Sequence, residues 1–437
     1  MISAATSRRL RAAWRDVREL GLAVLSRVLV TPLTWVVPRD PKQYVVLGRV
    51  DGRFMDNGKY FAAWVARNAP PDVQITFVTM AGEVARELGP VAASVKRPVA
   101  DAQGHARQAS LEVARYPFPK AMWRMLRCGT LVYDAAATAG EGRIGFYGGA
   151  RRVQLWHGTP LKEIELAQHR RRDALRPKPI VWLLGIHRAI VGRFVHHHLV
   201  ICTSDFLARG VFAQSFKSDA IVGLGYPRND VILGGDDYDP ELVDNGVDVA
   251  ARELIMRHRA RGGRTLLYAP TFRDNGSHPT DDGSLDIARI SEFAQRHDLL
   301  VVLKLHPFLA ARMSGLSAPN VLQASPVSDI YPLLRHFDFL LTDYSSIYFD
   351  YLLLDRPVVF YPYDMESYRA GRELLFDYDA MTPGPRATDF EGLLGALEAA
   401  VTGPDTHAEA RRRVIDLVHD HRDGRSMARL WERLNPR

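Results

Sequence analysis

Short apolar runs, rich in β-branched residues, alternate with helical stretches along most of the chain. Strands that are apolar at successive positions are covered on both faces, and their alternation with helices is typical of parallel sheets. The pattern therefore predicts an α/β fold. The runs predict strands at 44–47, 73–78, 130–133, 153–156, 199–202, 220–224, 265–268, 300–305, 320–322, 339–341 and 358–361.

A polar stretch at 234–237 separates the first six predicted strands from the last five, and a helix is predicted after it at about 240–259. A chain of 437 residues favours two or three domains. We predict a GT-B-like arrangement, in which two doubly wound Rossmann-type domains face each other across a cleft. Residues 405–437 are predicted to be helical and either end the second domain or cross back to the first. The predicted segments are an N-terminal helix at 1–40, a first domain at 41–235 with a basic insert at 162–198, a linker at 236–262 and a second domain at 263–437.

Positive charge is concentrated in one segment. Between residues 151 and 198 there are ten Lys or Arg and three acidic residues, an excess of +7 that equals the net charge of the whole protein. Such a segment attracts phosphates of a nucleic acid, an anionic bilayer or a polyphosphate substrate. Nucleic acid is disfavoured, because the segment offers mainly Trp182 and Phe194 for stacking on bases. Cys128 and Cys202 cannot form a disulfide framework, so a reducing compartment is expected.

Two segments have the pattern of membrane-surface elements. In the first 30 residues an apolar stripe with Trp14 runs beside an arginine stripe with Arg11. A helix docked on the protein's own surface is the alternative, and Arg27 and Pro32 interrupt this segment as a bilayer span. The second segment, 180–186, is apolar and flanked by basic residues, and a buried helix is its alternative. We expect peripheral attachment to the inner membrane face through Arg11, Trp14, Arg170, Arg171, Arg172 and Trp182.

A histidine follows the fourth predicted strand directly. His157 stands between Trp156 and Gly158, a few residues before Lys162. In an open α/β sheet the carboxyl ends of the strands form the edge where ligands bind. Imidazole is the side chain best suited to take a proton from a hydroxyl near neutral pH. The position therefore predicts a general base.

Polar residues follow the strands of the second half in the same way. Taken singly, each could be a helix cap, a strand end or a packed histidine. Parallel strands, however, present their carboxyl ends at one rim, so these residues are expected to converge on one crevice. A helix predicted to start near Ser345 would offer backbone N–H groups to a phosphate. The absence of a P-loop or a Gly-x-Gly-x-x-Gly motif disfavours an ATPase or a nicotinamide enzyme. The converging residues are Thr271, Arg273, Lys304, His306, Asp343, Ser345 and Ser346.

Five motifs together resemble a known family. They are Trp-His-Gly-Thr-Pro-Leu-Lys at 156–162, Gly-Tyr-Pro-Arg-Asn-Asp at 225–230, Tyr-Ala-Pro-Thr-Phe-Arg at 268–273, Leu-Lys-Leu-His-Pro at 303–307 and Thr-Asp-Tyr-Ser-Ser at 342–346. Their order and spacing resemble the CDP-glycerol glycerophosphotransferase family of teichoic acid synthesis, over about residues 43–400. The run at 54–60 resembles a weaker family position. The resemblance implies a GT-B fold, a CDP-alcohol donor and attachment to the cytoplasmic membrane face.

The family's activity would be transfer of phosphoglycerol from CDP-glycerol to a hydroxyl of a polyprenyl-diphosphate-linked acceptor, with release of CMP. The resemblance implies that His157 is the base and His306 a second essential histidine. No cofactor and no metal are expected. Alternatives are a CDP-ribitol or other nucleotide donor on the same fold, and a non-catalytic protein that binds anionic lipid or nucleic acid. The expected donor-binding residues are Thr271, Arg273, Lys304, Asp343, Ser345, Ser346 and Arg372, and the expected acceptor- or phosphate-binding residues are Gly158, Thr159, Lys162 and Arg228.

Overall fold

Two parallel sheets form the centre of the molecule. The structure, a computed structural model, describes residues 4–49, 52–95, 98–100, 106–108, 111–135, 140–235, 237–271, 273, 284–306, 318–371 and 374–436.

The first sheet has seven parallel strands in the order β7-β6-β5-β4-β1-β2-β3. They are β1 Asp40–Leu47, β2 Gln74–Thr79, β3 Leu111–Arg115, β4 Cys128–Tyr133, β5 Arg151–Gln154, β6 Leu199–Cys202 and β7 Ile221–Gly223.

The second sheet has five parallel strands in the order β10-β9-β8-β11-β12. They are β8 Arg264–Tyr268, β9 Leu299–Leu303, β10 Val321–Gln323, β11 Phe339–Thr342 and β12 Val358–Phe360. All the predicted strands are present, with ends shifted by a few residues. The strand of these two sheets that was not predicted, β3, lies at an edge and carries Glu112 and Arg115, so its pattern is less apolar than that of the central strands.

Helices cover both faces of the sheets. In the first half they are α1 Ala4–Leu29, α2 Leu33–Val36, α3 Asp56–Asn68, α4 Gly82–Val95, α5 Pro119–Arg127, α6 Glu165–Ala174, α7 Lys178–Val191, α8 Asp205–Leu207, α9 Ala213–Ser215 and α10 Pro227–Ile232. In the second half they are α11 Pro240–Asp244, α12 Val249–Ala260, α13 Ile287–Arg296, α14 Tyr331–Leu334, α15 Ile347–Tyr351, α16 Met365–Gly371, α17 Tyr378–Met381, α18 Phe390–Thr402, α19 Ala408–Val418 and α20 Ser426–Leu434.

The segment between the sheets differs from its prediction. The single helix expected at 240–259 is two helices, α11 and α12. Gly246 lies between them with a φ of +79°, a left-handed conformation that favours glycine. Asp248 then caps α12, because its side chain accepts a hydrogen bond from the backbone N–H of Ala251.

The last helix, α20, packs on the first sheet although the predicted boundary placed it in the second domain. Its buried Met427, Leu430 and Leu434 belong to the same apolar cluster as residues of β1 and α3. The hydroxyl of Tyr44 donates to Oδ1 of Asn435 at 2.8 Å, just after the helix. The chain therefore crosses back to the first domain, which was one of the two predicted alternatives.

Helix α1 lies along the first domain. Ala23 is buried in the cluster on that face of the sheet, and Ser26 is buried beside it. Arg27 donates to the carbonyls of Ala189 and Ile190 at 2.7 and 2.8 Å, which joins α1 to the end of α7. The segment Trp14–Val36 is also long and apolar enough, by length and composition, to cross a membrane. Ala23 and Ser26 thus pack the helix against the first domain, whereas Trp14 on the same helix is exposed.

Shortening a side chain of α20 tests its place in the first core. We expect Leu430→Ala to lower the free energy of unfolding by about 2–5 kcal/mol, because it leaves a cavity in a fully buried position. Leu175→Ala, a matched change at a highly exposed leucine, should alter it by less than about 0.5 kcal/mol. Urea titration followed by circular dichroism measures both. Equal effects of the two changes would contradict the packing.

Candidate active site

The loop after β5 has a strained backbone. Trp156 has a φ of +55° and Gly158 a φ of +137°. A bulky residue rarely adopts the left-handed region, and such strain persists only where the surroundings enforce it. Here three successive carbonyls, of residues 156 to 158, are each held by a side chain. The donors are Asn57 Nδ2 at 2.8 Å, Arg228 Nη1 at 2.9 Å and the Tyr226 hydroxyl at 3.3 Å.

The His157 ring is fixed in one tautomer. Its Nδ1 lies 2.7 Å from the backbone oxygen of Asp134. A carbonyl only accepts hydrogen bonds, so Nδ1 carries the proton and Nε2 keeps its lone pair. Burial, reinforced by Arg49 and opposed by Asp56, lowers the pKa of His157 to about 4. The ring is therefore neutral at physiological pH, as a proton acceptor must be.

A buried carboxyl group lies beside this loop. Burial, with the charge of Asp56 next in size, raises the pKa of Asp134 to about 7. Its Oδ2 accepts a hydrogen bond from the N–H of Gly58 at 2.8 Å, and its Oδ1 has no partner among the described residues. The sequence analysis missed this group. Asp134 follows β4 directly, so the rule that ligand-binding residues follow parallel strands could have found it.

A cleft of about 470 Å³ separates the two sheets at their carboxyl ends. Residues of both domains line it, as the prediction of a convergent crevice requires. The structure brings together nine of the predicted site residues here: His157, Gly158, Thr159, Lys162, Thr271, Lys304, His306, Ser345 and Ser346.

Two predicted donor-binding residues are paired with each other behind the cleft. Arg273 Nη1 lies 2.8 Å from Asp343 Oδ2, and its Nε and Nη2 donate to Asp364 at 2.7 and 2.9 Å. Asp343 Oδ1 accepts from the N–H of Thr271 at 2.8 Å. The guanidinium also lies over the ring of Tyr344, 5.1 Å from its centroid. These contacts shape the second-domain wall of the cleft. Arg372 lies outside the described residues.

Lys304 lines the cleft, but its ammonium group is engaged elsewhere. It donates to the carbonyls of Ser325, Pro326 and Ser328 at 2.7, 3.1 and 2.7 Å. Burial lowers the pKa of Lys304 to about 8. The three N–H bonds of the ammonium group thus hold the loop at 325–328, and the expected phosphate contact does not fit this geometry.

His306 is exposed at the cleft. Partial burial and the charge of Arg53, a first-domain residue, lower its pKa. Arg53 and Arg49 both follow β1 at the rim, and the sequence analysis missed them. The same rule about strand ends would have found them.

The second-domain serines precede a shorter helix than expected. Helix α15 begins at Ile347 and has five residues. Its dipole is correspondingly small, which weakens the prediction of a helix-terminus phosphate site. Ser345 and Ser346 nevertheless line the cleft opposite Gly158. Among the residues that the structure describes, no group of three or more His, Cys, Asp or Glu could hold a metal ion.

Two parallel-sheet domains with a histidine in the cleft between them define a GT-B-like fold with a candidate active site in that cleft. The chain belongs to the CDP-glycerol:poly(glycerophosphate) glycerophosphotransferase family, whose sequence model matches residues 30–435. The structure of the wall teichoic acid polymerase TagF covers 98% of this chain and 97% of its own, with a TM-score of 0.66 at 20% identity. That likeness confirms the predicted fold of two doubly wound domains.

Relatives of known activity use two polyols. The teichoic acid ribitol-phosphate primase of Bacillus spizizenii is 32% identical over 225 residues, 50% of this chain and 54% of the relative. The teichoic acid glycerol-phosphate primase of the same organism is 30% identical over 258 residues, 56% of this chain and 59% of the relative. The matches thus span little more than half the length of these relatives.

The titration of His157 tests the described ring environment. We expect a pKa near 4, against 6.5 for an unperturbed ring, in an NMR titration in which His157→Gln identifies the signal. The unfolded chain takes up a proton near pH 6.5 and the folded chain only near 4. Stability contributed by the neutral ring is therefore lost as the pH falls through this window, and the Gln variant should lose less. A titration near 6.5 would contradict the assignment.

Proposed function

We propose that the protein transfers phosphoglycerol from CDP-glycerol to a hydroxyl of a polyprenyl-diphosphate-linked acceptor and releases CMP. The observation that carries the proposal is a neutral imidazole, held in one tautomer with Nε2 unprotonated, in a cleft whose opposite wall carries His306 and two serines. Family membership supports the nucleotide donor. The alternative donor, CDP-ribitol, is supported by the ribitol-phosphate primase among the relatives.

In the proposed reaction the acceptor hydroxyl loses its proton to Nε2 of His157. The acceptor oxygen then forms a bond to the β-phosphorus of CDP-glycerol, and the bond from that phosphorus to the CMP oxygen breaks. The product is a phosphodiester. A diphosphate in the cleft adds negative charge near the ring. This charge raises the pKa of His157 towards physiological pH and makes the ring a stronger base.

Charge on the phosphoryl oxygens needs stabilisation in the transition state, usually the largest contribution in such chemistry. His306, which lines the cleft, and Arg53, a first-domain cation whose charge lowers the pKa of His306, are the groups proposed for this role. Ser345 and Ser346 are proposed to donate hydrogen bonds to the diphosphate or the glycerol hydroxyls. The second-domain wall of the cleft, which carries Ser345 and Ser346, is called the donor wall below. We propose that Lys304, Arg273 and Asp343 hold it in shape.

Removal of the base should abolish most of the turnover. We expect His157→Ala to lower kcat by about a hundredfold to ten-thousandfold, as is typical when a general base is lost. The assay follows CMP release from CDP-glycerol, CDP-ribitol and UDP-sugars with a lipid-diphosphate disaccharide acceptor. His196→Ala, at an exposed histidine paired with Asp219, is the matched control and should keep wild-type turnover.

Near-normal turnover by His157→Ala would remove the base assignment. Turnover with CDP-ribitol and none with CDP-glycerol would replace the proposed donor by its alternative. No CMP release from either donor by the wild-type protein would contradict the proposed function.

We also propose that the protein lies on the cytoplasmic face of the membrane. Helices α1 and α7 are joined through Arg27, and Trp14, Trp35 and Trp182, in α1, α2 and α7, are 72%, 78% and 67% exposed. Exposed tryptophans beside basic residues are typical of interfacial helices. The basic residues Arg170, Arg171 and Arg172 are exposed on α6, and Arg11 lies in α1, where its side chain is outside the described structure.

Introducing a negative charge into the apolar surface tests this attachment. We expect Leu183→Glu on α7 to weaken binding to vesicles that contain anionic phospholipid at least tenfold, because a carboxylate would enter the apolar layer. Leu254→Glu on α12 is the matched control at another exposed leucine and should bind like wild type. Sedimentation with vesicles measures both. Equal binding by the two variants would contradict attachment through α7.

A further inference from the structure

One buried guanidinium connects the two domains to the catalytic loop. Arg228, at the start of α10, is 2% exposed. Its Nη1 donates to Asp56 Oδ1 at 2.6 Å, on the first-domain helix α3, and its Nη2 donates to Asp350 Oδ2 at 2.6 Å, on the second-domain helix α15. A carboxylate on each side therefore fixes the guanidinium in position and in plane.

The same guanidinium holds the histidine backbone. Nη1 also donates to the carbonyl of His157 at 2.9 Å. A Cβ atom added at Gly158 would lie 2.9 Å from Arg228 Nη2 and 3.4 Å from Ser346 Oγ. The loop therefore passes between Arg228 and a donor-side serine, and glycine leaves the room for this close approach.

The second-domain partner is linked to the donor wall. Asp350 is the fourth residue of α15, which follows Ser345 and Ser346 directly. Asp350 Oδ2 also accepts from the hydroxyl of Tyr331 at 2.9 Å, and the Tyr331 ring lies 4.4 Å from the Arg228 guanidinium. A displacement of the serines therefore moves the carboxylate to which Arg228 is bound.

We propose that Arg228 is a positioning residue, which sets His157 relative to the donor wall by linking Asp350 of the second domain to the carbonyl of His157. The phosphate-binding role expected from the sequence does not fit a guanidinium that two buried carboxylates already occupy. The inference rests on the proposed function for its catalytic consequence. Its structural content, a loop held through the domain interface, is independent of the substrate.

A second buried ion pair between the domains provides a matched comparison. Lys59 Nζ on α3 lies 2.8 Å from Asp329 Oδ2 in the second domain, and both side chains are buried. Lys59 also donates to the carbonyl of Asn245 at 2.7 Å, and the Tyr60 hydroxyl donates to Asp329. None of these contacts involves the loop at 156–158. Asp329→Asn and Asp350→Asn thus remove the same charge from two interdomain pairs, one of which reaches the histidine loop.

The experiment compares Arg228→Lys, Asp350→Asn and Asp329→Asn in the full chain. Lysine keeps the charge of Arg228 but lacks the planar fork that reaches three acceptors. We expect Arg228→Lys and Asp350→Asn to lower kcat at least tenfold, with KM for CDP-glycerol changed by less than threefold. Asp329→Asn should keep kcat within threefold of wild type, although all three variants lower the melting temperature.

Hydrogen–deuterium exchange of a peptide spanning residues 153–161 supplies a readout that needs no turnover. We expect exchange to be at least fivefold faster in Arg228→Lys and Asp350→Asn, and unchanged in Asp329→Asn. An unchanged peptide in both of the first two variants, or an equal change in all three, overturns the inference. If Asp350→Asn does not fold, Arg228→Lys against Asp329→Asn decides the question. Absent CMP release by the wild-type protein overturns the proposed function, while the exchange data still decide the inference.

Discussion

The backbone of the loop at 156–158 is the constraint on which the site depends. Trp156, a bulky residue with a φ of +55°, is unfavourable in this conformation unless its surroundings compensate for the strain, whereas Gly158 tolerates its positive φ. Here the three carbonyls are held by Asn57, Arg228 and Tyr226. The motif around residue 57 and the motif at 225–230 thereby gain a physical role. Residues of both motifs support the histidine loop, and the position of the imidazole depends on these contacts.

Burial then sets the protonation states at this support. It lowers the pKa of His157 to about 4 and raises that of Asp134 to about 7, because each group is less stable charged than neutral when water is removed. The charge of Arg49 lowers both pKa values, and the charge of Asp56 raises both. In the proposed mechanism, a base with so low a pKa is weak in the empty cleft and gains strength when the proposed anionic donor enters. The proposal thus assigns part of the electrostatics of the site to the substrate charge.

The sequence predicted much of the fold and the location of the cleft. Central parallel strands such as β6 are buried on both faces, so their continuous apolar pattern is clear, whereas the edge strand β3 was missed. The strand-end rule brought His157, His306 and the serines to one cleft. It could not assign partners to the cations, since Arg273 and Asp364 are 91 positions apart, and Arg228 and Asp350 are 122 apart. Whether an arginine faces a ligand or a buried carboxylate depends on such long-range contacts, which no local pattern contains.

The connection from β5 to β6 contains both the histidine loop and the basic segment with α6 and α7, which the sequence analysis treated separately. It begins with the histidine loop, continues through Lys162 at the cleft, and forms α6 and α7 before it returns to the sheet. Lys162 and the first residue of α6 are three positions apart, so the basic surface proposed to face the bilayer starts beside the cleft. An acceptor whose lipid tail stays in the membrane could then present its hydroxyl to His157 without leaving the surface. The two proposals together assign the orientation of the acceptor to membrane attachment, and the orientation of the base towards the donor to the domain interface through Arg228.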